Sequence, residues 1–126
     1  MQLIKDASAE KLRGAYYTPP AIASFILHWG INGGQDADIL EPSCGDGVFL
    51  ECMRDENMLF NTVTAIEYEA AEANKARTLG LHDSEVINQD FHRFCLDTDK
   101  RFDLVVGNPP FIRYQYYDPA KQKLAD

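Results

Sequence analysis

The 126 residues carry 12 basic and 20 acidic side chains, a net charge of −8, with 45% hydrophobic and 25% charged residues. That length holds one domain at most, with room for a core, and the acidic balance excludes a strong grip on a nucleic-acid backbone by this chain alone, because such affinity comes mostly from Lys and Arg. No apolar run approaches the roughly 20 residues of a membrane span, Met1 to Asp6 lacks the apolar stretch of a signal peptide, and three cysteines (Cys44, Cys52, Cys95) with no CxxC pair fit reduced thiols in a cytoplasmic protein.

In chain order, residues 6–12 read as a short polar helix and Gly14 to Tyr17 as a loop. Thr18-Pro19-Pro20 is a helix start: a hydroxyl N-cap, then prolines in the first turn, where a missing N–H costs nothing. Ile22, Phe25, Ile26 and Trp29 follow at i, i+3, i+4 and i+7, predicting one buried helical face, and Asn32-Gly33-Gly34 ends the helix. Asp38-Ile39-Leu40 predicts a first strand, followed by the loop Glu41 to Gly47 and a helix over Val48 to Glu56. Thr62 to Ile66 predicts a second strand ended by Glu67. Ala70 to Leu79 is Ala-rich and helical, closed by Gly80. Glu85 to Asn88 is a third strand of weaker pattern, Phe91 to Cys95 a short turn or helix, and Phe102 to Val106 a fourth strand. Strands alternating with helices imply right-handed crossovers and a parallel sheet covered on both faces. The expected fold class is therefore α/β, a Rossmann-like half-sheet ordered 3-2-1-4 with its switch point between strands one and four.

Chemistry-bearing residues gather at the C-terminal ends of these strands. Gly45 and Gly47 sit in the first strand-to-helix loop, where glycine lets backbone approach a ligand at a helix N-terminus. The third glycine of the dinucleotide fingerprint is absent, since Val48-Phe49-Leu50 follows. Glu67 lies twenty residues after Gly47, where such folds place an acidic residue on a ribose diol; it could equally be a solvated strand-end carboxylate. Asp90-Phe91 ends the third strand. Its carboxylate suits an adenine amine and its ring an adenine face, or Asp90 is a helix N-cap and Phe91 core. Glu41 could meet a cofactor's ammonium or sulfonium charge, or be satisfied by loop N–H groups. The histidines (His28, His82, His92) and cysteines show no metal-ligand spacing, so no metal site is expected.

The most distinctive segment is Asn108-Pro109-Pro110-Phe111, directly after the apolar run Phe102-Asp103-Leu104-Val105-Val106-Gly107. Two prolines stiffen the turn and remove two donors. An amide, uncontested carbonyls and an aromatic face remain, a set that suits a flat ring bearing an amine.

Together, Tyr17-Thr18-Pro19-Pro20, Glu41-Pro42-Ser43-Cys44-Gly45-Asp46-Gly47-Val48-Phe49-Leu50, Ala65-Ile66-Glu67, Gln89-Asp90-Phe91 and Gly107-Asn108-Pro109-Pro110-Phe111 resemble successive motifs of S-adenosylmethionine-dependent N6-adenine DNA methyltransferases. The likeness is to the TaqI-like, gamma-order group of restriction-modification enzymes, over about residues 13 to 114, and it implies a truncated class I methyltransferase sheet. By that resemblance Thr18 contacts the methionine part of the cofactor. Glu41 and the loop from Ser43 to Gly47, with Ser43, Cys44, Gly45 and Gly47 as its named contacts, hold its amino-acid and sulfonium end. Glu67 takes the ribose, Asp90 the adenine amine, and Phe91 the adenine ring. Asn108 and the Pro109 carbonyl accept from the N6 amine of a flipped adenine, Pro110 completes the rigid turn, and Phe111 stacks on the base.

Family members continue with further strands and a DNA-recognition domain. The resemblance thus implies that residues 1–126 are the N-terminal part of a catalytic domain that meets double-stranded DNA through a C-terminal region. The strand 102–106 edge would then pair with a complementing chain or a second copy. Three other readings use the same residues: a protein-glutamine methyltransferase, an RNA-adenine methyltransferase, and a non-catalytic S-adenosylmethionine-binding fragment. A nucleotide-dependent oxidoreductase is disfavoured by the missing third glycine.

Overall fold

The structure, a computed structural model, describes residues 18–31 and 36–108. The helix expected over 6–12, the loop 14–17, the 32–34 stop, Pro109, Pro110, Phe111 and the tail 114–117 lie outside them. The described elements are α1 (Pro20–Ile31), β1 (Asp38–Glu41), α2 (Val48–Asp55), β2 (Thr62–Glu67), α3 (Ala70–Arg77), β3 (Ser84–Asn88), α4 (Phe91–Asp97) and β4 (Leu104–Val105). The strands form one sheet ordered β3-β2-β1-β4. All its ladders are parallel, with Ile39 opposite both Val63 and Leu104.

Alternation along the strands sorts the core into two layers. Ile39, Val63 and Ala65 face a cluster completed by Ala23 and Leu27 of α1, Phe49, Leu50 and Met53 of α2, and Ala76 of α3. Leu40 and Ile66 face the other side, against Phe94 of α4 with Ile87, Phe91 and Phe102 around it. Helices α1 to α3 therefore cover one face and α4 the other, as a doubly wound sheet requires. The change of side falls between β1 and β4, which makes their C-terminal ends the place where a crevice opens.

Two expectations are corrected. The buried face of α1 is Ala23 and Leu27, with Ile26 partly covered, while Ile22, Phe25 and Trp29 are 52%, 70% and 78% exposed. The reason is close packing. A Cβ on Gly30 would lie 3.1 Å from Leu104 Cδ2, so α1 approaches β4 closely at Gly30, which shares a face with Ala23 and Leu27 at the i, i+4, i+7 spacing. The fourth strand is also shorter than 102–106. Asp103 N–H still donates to Asp38 O and Val106 N–H to Leu40 O, but Phe102 turns into the α4 layer.

Candidate active site

At the sheet's switch point, Glu41 ends β1 and Asn108 lies three residues past β4. The loop 42–47 arches between β1 and α2, and Thr18 enters α1 from the side. Thr18, Glu41, Ser43, Gly45, Asp46 and Asn108 line one cleft of about 270 Å³, mouth included, together with Cys44, Val48 and Phe49.

The loop is held in shape by its own chemistry. Gly45 and Gly47 have φ of +56° and +103°, in the left-handed region that disfavours side chains. A Cβ on Gly47 would also lie 2.5 Å from Leu79 Cδ1 and 3.3 Å from Ala76 Cβ, so its absence lets the start of α2 pack close to the end of α3. Cys44 N–H donates to Ile66 O, and Gly47 N–H to Cys44 O, both at 2.9 Å. The Cys44 thiol is buried; burial first, then the Glu41 and Glu67 charges, push it far above the usual thiol range, so it stays a neutral wall.

Glu41 is 1% exposed, and its Oε1 accepts from Ser43 N–H at 2.8 Å. Burial pushes its carboxyl up to about 8, opposed by that N–H and reinforced by Glu67. The loop N–H reading of Glu41 is thus observed, without excluding a ligand. Gly107 completes the enclosure: a Cβ there would lie 2.6 Å from Glu41 Oε1. Ser43 Oγ is buried without a hydrogen-bond partner, which an isolated fold would avoid.

Glu67 uses both oxygens on backbone: Oε1 accepts from Gly45 N–H at 2.9 Å, Oε2 from Glu69 N–H at 2.8 Å. It ties the glycine loop to the start of α3. Each oxygen keeps a second lone pair, so a diol remains within its capacity. Asp90 is the N-cap of α4, its Oδ2 accepting from Arg93 N–H at 3.1 Å. Phe91 packs at the margin of the α4 layer. The capping and core readings of this pair are therefore what the structure shows. Asn108 Nδ2 donates to Thr18 Oγ1 at 3.2 Å, joining the ends of β4 and of the entry to α1.

Thr18, Glu41, Ser43, Cys44, Gly45 and Asn108 thus come together in one cleft. Glu67 touches it through Gly45, and Gly47 shapes it from behind. Asp90 and Phe91 stand two strands away, about 10 Å at the usual strand spacing. A ligand reaching all of them must be elongated, crossing the ends of β1, β2 and β3 in turn. Sequence reasoning placed Asp46 in the cofactor loop without a contact of its own, although it lines the cleft with a carboxyl raised by burial and then by Glu72, and gave Gly107 no part in enclosing Glu41. The glycine at a strand end directly before Asn108 was the available signal for the second. Among the described residues no group of three or more His, Cys, Asp or Glu could hold a metal.

The N-6 DNA methylase family model matches residues 2–126. The chain belongs to that family. It is 32% identical over 122 residues to the type II methyltransferase M.CvrRI of Paramecium bursaria Chlorella virus XZ-6E, covering 89% of this chain and 31% of that protein. It is 26% identical over 122 residues to M.HincII of Haemophilus influenzae (94% and 21%). The methylase chain therefore spans between a fifth and a third of these relatives' length. Among solved structures, TrmN from Thermus thermophilus superposes with a TM-score of 0.64 at 18% identity, over 79% of this chain and 31% of that one. A dimethyladenosine transferase from Plasmodium falciparum gives 0.58 at 19% identity, over 75% and 33%. At such identities these show the fold, the Rossmann-like sheet of class I methyltransferases.

The cofactor of the methylase family is S-adenosylmethionine, and the residues here fit it. A buried carboxylate with no cation beside it among the described residues suits the ammonium, the orphaned Ser43 hydroxyl suits a polar group, and the row of strand ends matches an elongated nucleoside.

Proposed function

We propose that this chain is the cofactor-binding and amine-recognising part of a DNA adenine-N6 methyltransferase acting in a restriction-modification setting. The observation that carries the reading is the position of Asn108: a side-chain amide at the end of β4, in the same cleft as Glu41 and the glycine loop. The family's description as a DNA methylase supports the DNA substrate, and the relatives named as type II methyltransferases support the setting. A base inside a duplex hides its amine, so the target adenine is rotated out to reach this cleft.

The cofactor supplies a methyl group on a sulfonium. Every other contribution comes from the protein. Glu41 and Ser43 anchor the amino-acid end, Glu67 the ribose and Asp90 the adenine of the cofactor. Asn108 Oδ1 and the Pro109 carbonyl accept from the two N6 hydrogens. An aryl amine is a poor nucleophile because its lone pair is delocalised into the ring. Two acceptors on its hydrogens favour a pyramidal nitrogen and stabilise the positive charge that grows on it, without a strong base. Phe111 stacks on the base, and alignment completes the transfer. Three unpaired cysteines among the described residues support a cytoplasmic setting. The catalytic domain would extend beyond residue 126, and duplex DNA would be met there, which accounts for the acidic charge of this part. The edge of β4 would pair with that extension, a complementing chain or a second copy.

Incubating the full-length protein with radiolabelled S-adenosylmethionine and duplex DNA, then digesting the DNA to nucleosides, tests the proposal. N6-methyladenosine in deoxy form is expected, lost by more than a hundredfold in Asn108→Ala while cofactor binding persists. Label in protein or RNA with none in DNA would overturn it. The 126-residue chain alone is expected to transfer no methyl group to DNA.

A further inference from the structure

Thr18 and Asn108 are ninety residues apart in sequence and meet in the cleft through one hydrogen bond, Asn108 Nδ2 to Thr18 Oγ1 at 3.2 Å. Thr18 is buried, and both residues line the cleft with Glu41 and Ser43. A hydroxyl has one proton and accepts as readily as it donates, and a primary amide can offer it either edge. While that proton is uncommitted, the pair can close in two ways. Nδ2 can donate to Oγ1, leaving Oδ1 outward, or the hydroxyl can donate to Oδ1, leaving the NH₂ outward. Only the first presents an acceptor to a substrate amine; the second sets donor against donor. The destination of the hydroxyl proton decides. A carboxylate within reach takes it, because hydrogen bonds to ionised acceptors are about twice as strong as neutral ones. The hydroxyl can then only accept, and the amide must turn its NH₂ inward and its carbonyl outward.

We infer that Thr18 is a positioning residue that couples the two halves of the site: once a bound α-amino acid carboxylate accepts from its hydroxyl, Thr18 holds the Asn108 amide with Oδ1 towards the substrate amine. This rests on the reading of the cleft as the seat of the cofactor's amino-acid end, where an ammonium on Glu41 brings its neighbouring carboxylate into the space that Thr18 lines. Cofactor and target base then strengthen each other's binding by the same factor.

The test uses the full-length protein and the duplex it methylates, at saturating cofactor and DNA. Thr18→Val, which removes the hydroxyl at nearly constant volume, is expected to lower kcat about tenfold or more, with a smaller loss of S-adenosylhomocysteine affinity; Thr18→Ser restores kcat. In Asn108→Asp both side-chain oxygens accept, so orientation no longer matters, and adding Thr18→Val is expected to cost less than about twofold. The same factor lost in both backgrounds, or a kcat that recovers fully at saturating cofactor, would overturn the inference. A second measurement covers an Asn108→Asp protein too slow to assay. S-adenosylhomocysteine should tighten wild-type DNA binding and leave that of Thr18→Val unchanged; equal tightening in both overturns the inference. Calorimetry separates the two layers. No S-adenosylhomocysteine binding by the wild type sinks the cleft reading and this inference with it, whereas normal binding with uniform Thr18→Val losses sinks the inference alone.

Discussion

Glu41 holds a carboxyl group where water scarcely reaches, with one backbone N–H for company and Glu67 nearby. Its proton affinity therefore reports what fills the cleft. In the folded chain it rises to about 8 from an ordinary 4.5, so folding takes up a proton between those values. The stability this group permits is fully present below the lower value and is lost as pH rises through the upper, at no more than about 1.4 kcal/mol per pH unit. Thermal unfolding between pH 5 and 9 should show that decline, and Glu41→Gln should remove it; parallel curves for the two proteins would contradict the assignment. An ammonium on Glu41 restores the carboxylate, so cofactor binding near pH 7 should release a proton, read as a dependence of binding heat on buffer ionisation. The carboxylate at the end of strand one was legible in the sequence because it directly follows the short strand Asp38-Ile39-Leu40 and opens the loop to Gly47. Its burial was not legible: the enclosing neighbour, Gly107, is brought in by pairing across 66 residues of chain.

At the scale of elements, the strands were legible because β-branched and apolar runs end at Gly, Pro or acid, and parallel pairing buries them on both faces. Helix α1 misled in its facing. The i, i+3, i+4, i+7 spacing put Ile22, Phe25, Ile26 and Trp29 inside, whereas packing against the sheet and α2 selects the neighbouring stripe of Ala23, Leu27 and Gly30, with Ile26 at its margin. Helix α4 shows why a strand-end acid is ambiguous: Asp90 caps its N-terminus in the same position from which it would reach an adenine amine. Substitution can part these roles. Asp90→Ala should cost about 1 kcal/mol of stability in urea unfolding and weaken cofactor binding as well. Asp90→Ser should recover the cap, since serine caps well, and still bind the cofactor poorly. If serine recovers both, Asp90 acts on the cofactor only by starting the helix.

For the molecule as a whole, the sheet order is what makes a cleft of scattered parts. Residues 18, 41 to 47, 67 and 108 converge because β4 crosses back beside β1 rather than extending the sheet beyond β3. That topology was legible from the alternation of strands and helices, and the family from its motif order. The same crossover leaves β1 between β2 and β4, so its loop is tied to the end of β2 by Glu67 and shares the cleft with the Thr18–Asn108 pair. A cleft built this way should bind S-adenosylmethionine without DNA. The central claim is tested most directly by titrating S-adenosylmethionine into this chain by calorimetry, with NAD and ATP as controls. Saturable binding of S-adenosylmethionine alone is the expected result, and a folded chain that binds NAD or ATP in its place would contradict the account.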